Sequence, residues 1–331
     1  MALIQVAILD DYQDAALRMT DWSAVTARAD LVVFRDHVAD QEELIRRLRG
    51  FDVVVVMRER TPLPAAVIGR LPRLKLVVTS GSGNAVIDLA AAARHGITVC
   101  GTGGSGLAAP ELSWGLLMAL FRDIPGHDAS VRAGGWQRGV GRELAGATLG
   151  LLGLGRIGQR MARYAHAFDM RVIAWSEHLT DDTARAHGAE LVTREQLFAQ
   201  ADAVSVHLKL SGRTAGLVGA AELKLLGPDG YLVNTSRSGI VDRAALVDAL
   251  RERTIAGAAL DVFDIEPLSP GDPLRTLPGT VLTPHVGYVT TKAYQRFFSE
   301  IAADIVAWLD GAPVRRLGCS SSADGNGRNT S

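Results

Sequence analysis

Several things are scarce in this chain. Its only cysteines, Cys100 and Cys319, are too few for a disulfide framework or a cysteine-based zinc site, and they suit a reducing compartment. Neither sign of charge is in excess. With 35 Lys+Arg against 36 Asp+Glu the formal net charge is -1, so nothing electrostatic argues for a nucleic-acid partner or an anionic membrane. No apolar run reaches the roughly 20 residues that span a bilayer. The N-terminus enters a strand-like Ile4-Gln5-Val6-Ala7-Ile8-Leu9 without a charged leader or a signal-peptide core, so a cytoplasmic location is the default expectation. His95, His127, His166, His178, His187 and His207 lack the i, i+4 pairing or cysteine partners of a zinc site, and no metal is expected.

What is present is ordinary for a globular enzyme: 331 residues, 47% hydrophobic and 21% charged, enough for two domains. Short β-branched runs alternate with helical patterns, the signature of parallel sheets covered by helices. Strands are expected at 6–9, 31–34, 53–57, 76–79 and 97–99, with helices at 14–19, 41–48, 64–68 and 89–94, the second opened by Asp40 as N-cap. Residues 101–109 are a Gly-rich composition shift that reads as a hinge, after which Pro110 opens an apolar helix over 111–121. From Thr148 a second series begins. Its strands are expected at 149–152, 171–175, 191–192, 203–207, 231–234, 257–260 and 281–282, and its helices at 157–168, 194–200, 220–225 and 243–252. A long helix at 291–309 has no strand partner and is expected to return to the first domain. The Ser/Gly/Asn-rich end reads as a disordered tail.

The second series opens on an apolar run that ends in Gly153-x-Gly155-x-x-Gly158 and passes into a helix. Alone this spacing is a weak signal, but a strand before it and a helix after it are the context a dinucleotide cradle requires. Gly153 permits the tight turn, Gly155 lets the backbone approach a pyrophosphate, and Gly158 lets helix and strand pack closely. N–H groups at the helix start would hold the phosphates.

Three later strands each run into a loop of unusual composition: Asn234-Thr235-Ser236-Arg237, then Asp261 through Glu266-Pro267, then Thr283-Pro284-His285. In an open α/β sheet such loops emerge at one edge, beside the cofactor. Taken singly, His285 suits a structural histidine, Glu266 a surface turn and Arg237 a salt bridge. Together they suit a carboxylate-bearing substrate that gains and loses a proton. Arg237 would clamp the carboxylate and polarise a neighbouring carbonyl, His285 would exchange the hydroxyl proton, and Glu266 would orient the imidazole and favour its charged form.

With these motifs in place the chain resembles the D-isomer-specific 2-hydroxyacid dehydrogenase family, from its first strand to about Leu317. The resemblance implies a flavodoxin-like substrate domain (1–100 and 287–318), a Rossmann NAD(P)-binding domain (101–286) and a cleft that closes on substrate, with 319–331 left as the tail. It implies hydride transfer between substrate C2 and the nicotinamide, with Arg237, Glu266 and His285 catalytic. Thr102, Arg156, Ile157, His207, Thr235, Ser236 and Asp261 match cofactor-lining positions, beside Gly153, Gly155 and Gly158. The substrate carboxylate would lie against Ser82, Gly83 and Asn84, with Arg58 or Arg60 near its far end. A homodimer is implied through the apolar helix at 113–121 and the stretch carrying Trp136.

Two positions depart from the family pattern. Where members commonly have an Asp for the adenosine ribose, this chain has Ser176 followed by Glu177. With Asp181 and Asp182 close by, this favours NAD while leaving NADP possible. Ala109-Pro110-Glu111-Leu112 stands where many members have Ala-Glu-His. The leading expectation is a reductase of small 2-oxo acids. A D-3-phosphoglycerate dehydrogenase is the alternative within enzymes, and a catalytically silent dinucleotide sensor the alternative outside them.

Overall fold

The computed structural model describes residues 3–318, so the expected tail lies outside the described residues. The chain divides into two compact units, Met1–Ser105 with Thr290–Ser331, and Gly106–Val289.

The first unit is built on β1 (Ile4–Ile8), β2 (Ala29–Val33), β3 (Val53–Val56), β4 (Leu76–Thr79) and β5 (Thr98–Gly101), all parallel, in the order β2-β1-β3-β4-β5. This is the flavodoxin-like order. β3 and β4 read Val-Val-Val-Val and Leu-Val-Val-Thr and are buried at every position, as parallel strands covered on both faces must be. The helices between strands are α1 (Ser23–Thr26), α2 (Gln41–Leu48), α3 (Ala65–Ile68) and α4 (Leu89–Arg94). α2 shows why such a segment is helical: the Asp40 carboxylate accepts from Glu43 N at 2.8 Å, and Glu42 and Glu43 sit in the first turn with Arg46 and Arg47 in the last. The cap contributes about 1 kcal/mol, and Leu44, Ile45 and Leu48 form the buried stripe. The C-terminal helix, Thr291–Leu309, packs on β4 and buries Tyr294, Phe297, Phe298, Ile301 and Ile305 at helical spacing. Phe298 lies against Trp22, ring centroids 6.3 Å apart, and its truncation to alanine would cost about 3–5 kcal/mol.

One expected helix is absent. Residues 14–19 form only a short 3-10 turn, Ala16–Arg18. The Asp11 carboxylate takes the N–H groups of Ala15 and Ala16, each at 2.9 Å, and Trp22 Nε1 donates to Ala16 O at 2.9 Å, so side chains hold the backbone groups a helix would use.

The second unit holds β6 (Thr148–Leu152), β7 (Arg171–Trp175), β8 (Glu190–Leu191), β9 (Ala203–Val206), β10 (Tyr231–Asn234), β11 (Gly257–Leu260) and β12 (Thr280–Leu282), in the order β12-β11-β10-β9-β6-β7-β8. Every pairing is parallel, and the order reverses at β6, which lies between β9 and β7. Its helices are α5 (Ala108–Arg122), α6 (Ile124–Arg132), α7 (Arg156–Ala167), α8 (Asp181–Ala186), α9 (Arg194–Gln200), α10 (Ala220–Leu226) and α11 (Arg243–Arg251). Leu151 packs with Leu117 of α5 and Met161 of α7, while its neighbour Leu152 packs with Leu197, Leu223 and Leu246 of α9, α10 and α11. The strand period of two thus feeds two separate cores.

Two boundaries differ from expectation. Gly101 closes β5 and Ala108 opens α5, which shortens the expected hinge at both ends. Pro110 fits the first turn of α5 because its missing N–H is not needed there. α6 escaped the sequence pattern because it buries nothing. It follows Asp123, whose left-handed φ of 45° closes α5 and begins α6.

Candidate active site

Strand register in the second unit places the site. Trp175, Leu152, Val206, Asn234, Leu260 and Leu282 are paired side by side across β7, β6, β9, β10, β11 and β12. The next residue of each strand is therefore Ser176, Gly153, His207, Thr235, Asp261 or Thr283, and all six leave the sheet along one line. At about 4.8 Å per strand this line runs roughly 24 Å, with the reversal of strand order at β6, one strand in from the β7 end.

At the reversal stands the glycine turn. Gly153 has φ +106°, and a Cβ there would lie 2.9 Å from the carbonyl of His207. A Cβ on Gly158 would lie 2.2 Å from Gly153 O. Both glycines are required by the protein itself. Gly155 is not: its backbone is extended (φ −78°, ψ −163°), and a Cβ there meets nothing within 4 Å. It is exposed at the N-cap of α7, where no side chain caps the helix and no acidic residue occupies the first turn. An uncapped helix start facing a gap that a side chain would fill fits a bound pyrophosphate. Arg156, exposed, and Ile157, half-buried, begin that helix.

His207, half-buried, donates its backbone N–H to Leu152 O at 2.8 Å, and its Nε2 lies 2.8 Å from Ser205 Oγ. Burial pushes the imidazole down to about 4, so it is neutral around pH 7.

The three loops beyond β10, β11 and β12 hold one another. Buried Asn234 donates from Nδ2 to Arg237 O and accepts Ser236 N, both at 3.0 Å, which turns the chain so that Arg237 leaves β10 half-buried. Ser236 Oγ is bonded to Leu208 O, and Thr235 Oγ1 lies 2.6 Å from Ser113 Oγ of α5. Asp261 is fully buried. One of its oxygens accepts Thr283 Oγ1 (2.6 Å) and Val286 N (2.8 Å), and the other accepts Gly287 N (2.8 Å). Burial raises the pKa of its carboxyl, opposed by the hydrogen bond from Thr283, by that from Val286, by the His285 charge and by the bond from Gly287. These bonds straddle His285, whose φ of +53° is in the left-handed region that costs a non-glycine residue about 1 kcal/mol or more.

His285 Nδ1 lies 2.6 Å from Glu266 Oε2, while Glu266 Oε1 accepts Phe263 N at 2.9 Å. The carboxylate can only accept, so Nδ1 carries the proton and Nε2 is the acceptor nitrogen of the neutral ring. His285 Nε2 makes no hydrogen bond among the described residues. The ring is braced edge-on by Tyr288, centroids 5.6 Å apart. A half-buried imidazole held by one nitrogen can exchange a proton through the other.

Residues 114–287 match the family model described as D-isomer specific 2-hydroxyacid dehydrogenase, NAD binding domain. The chain belongs to that family. It is 38% identical over 278 residues to a D-3-phosphoglycerate dehydrogenase of Archaeoglobus fulgidus, covering 83% of this chain and 53% of the relative. It is 38% identical over 281 residues to a glyoxylate reductase of Aeropyrum pernix, covering 82% and 83%. The chain thus spans about half the length of the phosphoglycerate dehydrogenase relatives. A crystal structure of phosphoglycerate oxidoreductase from Vibrio cholerae superposes with a TM-score of 0.89 at 36% identity, covering 94% of this chain and all of that one.

The second unit contains the residues matched by the family's NAD binding domain model, and β7 leads to Ser176 and Glu177. Ser176 is half-buried there and Glu177 exposed. With Trp175, Leu179, Leu191 and Thr193 they line a cavity of about 560 Å³. Glu177 Oε2 lies 3.4 Å from Arg213 Nε, in the turn after β9, and 3.9 Å from His178 Nε2.

The remaining expected residues belong to the first unit. Arg58 has φ +54°, with its N–H on Ser80 Oγ at 2.9 Å, and its guanidinium fills the space a Gly81 side chain would need. Asn84 donates to Arg58 O (2.6 Å) and Thr79 Oγ1 (2.9 Å), while Ser82 and Gly83 are exposed, so these four residues form one loop cluster. Arg60 turns elsewhere, donating to Asp10 O at 2.8 Å and stacking on Tyr12 at 4.6 Å. Thr102, buried, accepts Gly81 N at 2.7 Å within the same unit.

Proposed function

We propose that the protein reduces a small 2-oxo acid to its 2-hydroxy acid with NADH, and runs the reverse reaction with NAD. The observation that carries this reading is the His285–Glu266 pair, held at the β12 end of the strand row that also carries the glycine turn. Gly155, Arg156, Ile157 and Gly158 would hold the pyrophosphate, with His207, Thr235 and Ser236 along the nicotinamide side and Ser176 and Glu177 at the ribose. Bound there, the dinucleotide supplies or accepts the hydride. Arg237 binds the substrate carboxylate and withdraws charge from the C2 oxygen, whose basicity rises as the carbon is reduced. His285 Nε2 gives that oxygen its proton, and Glu266 balances the imidazole charge in the forward and reverse directions. Asp261 acts on the loop rather than the substrate. Arg58 with Ser82, Gly83 and Asn84 would bind the acid from the first unit. Arg60, committed to Asp10 and Tyr12, would serve by shaping that loop.

The relatives' names offer two substrate classes, a short 2-oxo acid such as glyoxylate and a phosphorylated hydroxy acid. We favour the first. A panel of glyoxylate, hydroxypyruvate, pyruvate and 3-phosphohydroxypyruvate with NADH and NADPH is the test. Turnover that survives His285→Ala would sink the mechanism, and tight dinucleotide binding without any turnover would favour a sensor.

A homodimer and a cytoplasmic setting complete the proposal. Ile124, Val131, Trp136 and Val140 are exposed apolar side chains on and after α6, with Trp136 at 74% exposure. A second copy of the chain would cover them. A monomeric mass by light scattering would reject the dimer. No described helix is long and apolar enough to cross a membrane.

A further inference from the structure

We propose that Arg213 admits a 2′-phosphate, so that the Glu177–Arg213 pair makes the cofactor site accept NADP as well as NAD. This rests on the cofactor cradle proposed above. β7 and β9 both pair with β6 and not with each other, so the loops that follow them flank the glycine turn. Glu177 comes from one loop and Arg213 from the other, and their 3.4 Å contact therefore bridges the turn on its adenosine side.

The loop that carries Arg213 has a defined shape. Thr214 Oγ1 donates to Lys209 O at 2.6 Å and accepts Ser211 N at 2.8 Å, Ala215 N bonds Ser211 O at 2.9 Å, and Gly216 N bonds Gly239 O at 2.9 Å. Both side chains of the pair are more than half exposed, 69% for Arg213 and 51% for Glu177. Exposed ion pairs are weak, so either partner can be recruited by a ligand at little cost.

The two ribose forms make opposite demands. A vicinal diol donates two O–H groups and suits a carboxylate, whereas a 2′-phosphate needs a cation and is repelled by a carboxylate. A fixed aspartate in place of Ser176 would impose the first choice. Here the acid stands one residue further on and is already turned toward a guanidinium, while Ser176 leaves a hydroxyl at the row position. Asp181 and Asp182 both pair with Arg185, at 2.6 and 2.8 Å, which offsets one of their two charges. With the diol, Glu177 accepts the hydroxyls and Arg213 balances it. With the phosphate, the Arg213 fork takes the phosphate oxygens and Glu177 is released to solvent.

The test is equilibrium binding of 5′-AMP and of adenosine 2′,5′-bisphosphate to the full-length protein by calorimetry, repeated with NAD and NADP. Wild type should bind both members of each pair. Arg213→Ala should weaken the 2′-phosphorylated ligands about tenfold or more and leave the others within about threefold, and Arg213→Lys should recover part of the loss. Glu177→Gln should tighten NADP relative to NAD. Added salt should weaken the bisphosphate more than 5′-AMP in wild type, with the difference much reduced in Arg213→Ala. Equal effects of Arg213→Ala on both ligands, or none on either, would overturn the assignment while leaving the cradle intact. Failure of wild type to bind any of the four would overturn the cradle, and the assignment with it.

Discussion

Glu266 Oε2 stands 2.6 Å from Nδ1 of His285, and the other oxygen of the same carboxylate holds the N–H of Phe263. One side chain therefore fixes both its own loop and the histidine's tautomer. Replacing Glu266 by Gln keeps the shape and lets the amide rotate, so that it no longer presents an acceptor alone. We expect kcat to fall about 10²-fold or more with little change in KM, and His285→Ala to fall about 10²–10⁴-fold, in steady-state assays with a fixed 2-oxo acid. A Glu266→Gln enzyme with wild-type kcat would show that the pair is only structural.

The three glycines of the turn should separate on mutation. Gly158→Ala forces a Cβ against Gly153 O and should destabilise the second unit by about 1–3 kcal/mol, read as a lower melting temperature. Gly155→Ala meets nothing and should melt like wild type, yet bind NAD about tenfold or more weakly by calorimetry. Unchanged NAD affinity in Gly155→Ala would mean that the pyrophosphate lies elsewhere.

Asp304 gives the first unit a pH dependence. It is fully buried on the C-terminal helix, 3.0 Å from Arg315, and burial raises its carboxyl from 3.8 to about 6, opposed by Arg315 and aided by Glu300. A folded value above the unfolded one favours the fold while the group is protonated. That contribution is full below about pH 4 and is lost as pH rises through about 6, amounting to roughly 3 kcal/mol. Asp304→Asn should therefore raise the melting temperature at pH 8 by several degrees and at pH 4.5 by about a third as much. A variant less stable than wild type at pH 8 would show that the Arg315 ion pair outweighs desolvation.

Cys100 is buried at the end of the first sheet, and its thiol is pushed up to about 11, mainly by burial. In a Cys319→Ser chain it should react with a thiol reagent only on unfolding. Rapid labelling of the native protein would contradict that burial.

Much of this architecture is legible in the sequence because it is written in local periodicity. The valine runs of β3 and β4, the Asp40 cap of α2 and the strand–glycine–helix succession at Gly153 each carry their own signal. What escapes is held by side chains acting at a distance. The Asp11 carboxylate converts an expected helix into a short turn by taking two backbone donors. Asp261 reads as pocket lining in the sequence, yet its oxygens are spent holding the His285 loop. Arg213 lies in an exposed turn with no periodicity, and only the folded chain brings it beside Glu177. α6 buries nothing and so leaves no apolar stripe to find.

The register of Asn234, Leu260 and Leu282 also bears on how such a protein can change. Arg237, Glu266 and His285 are all counted from that one row, so a single-residue insertion or deletion inside β10, β11 or β12 would throw one of them out of step with the others. Variation in the exposed segments that follow Arg237, Glu266 and His285 carries no such penalty. Specificity is therefore free to drift in those later segments, while the spacing from each strand end to its own site residue is held to a common ruler.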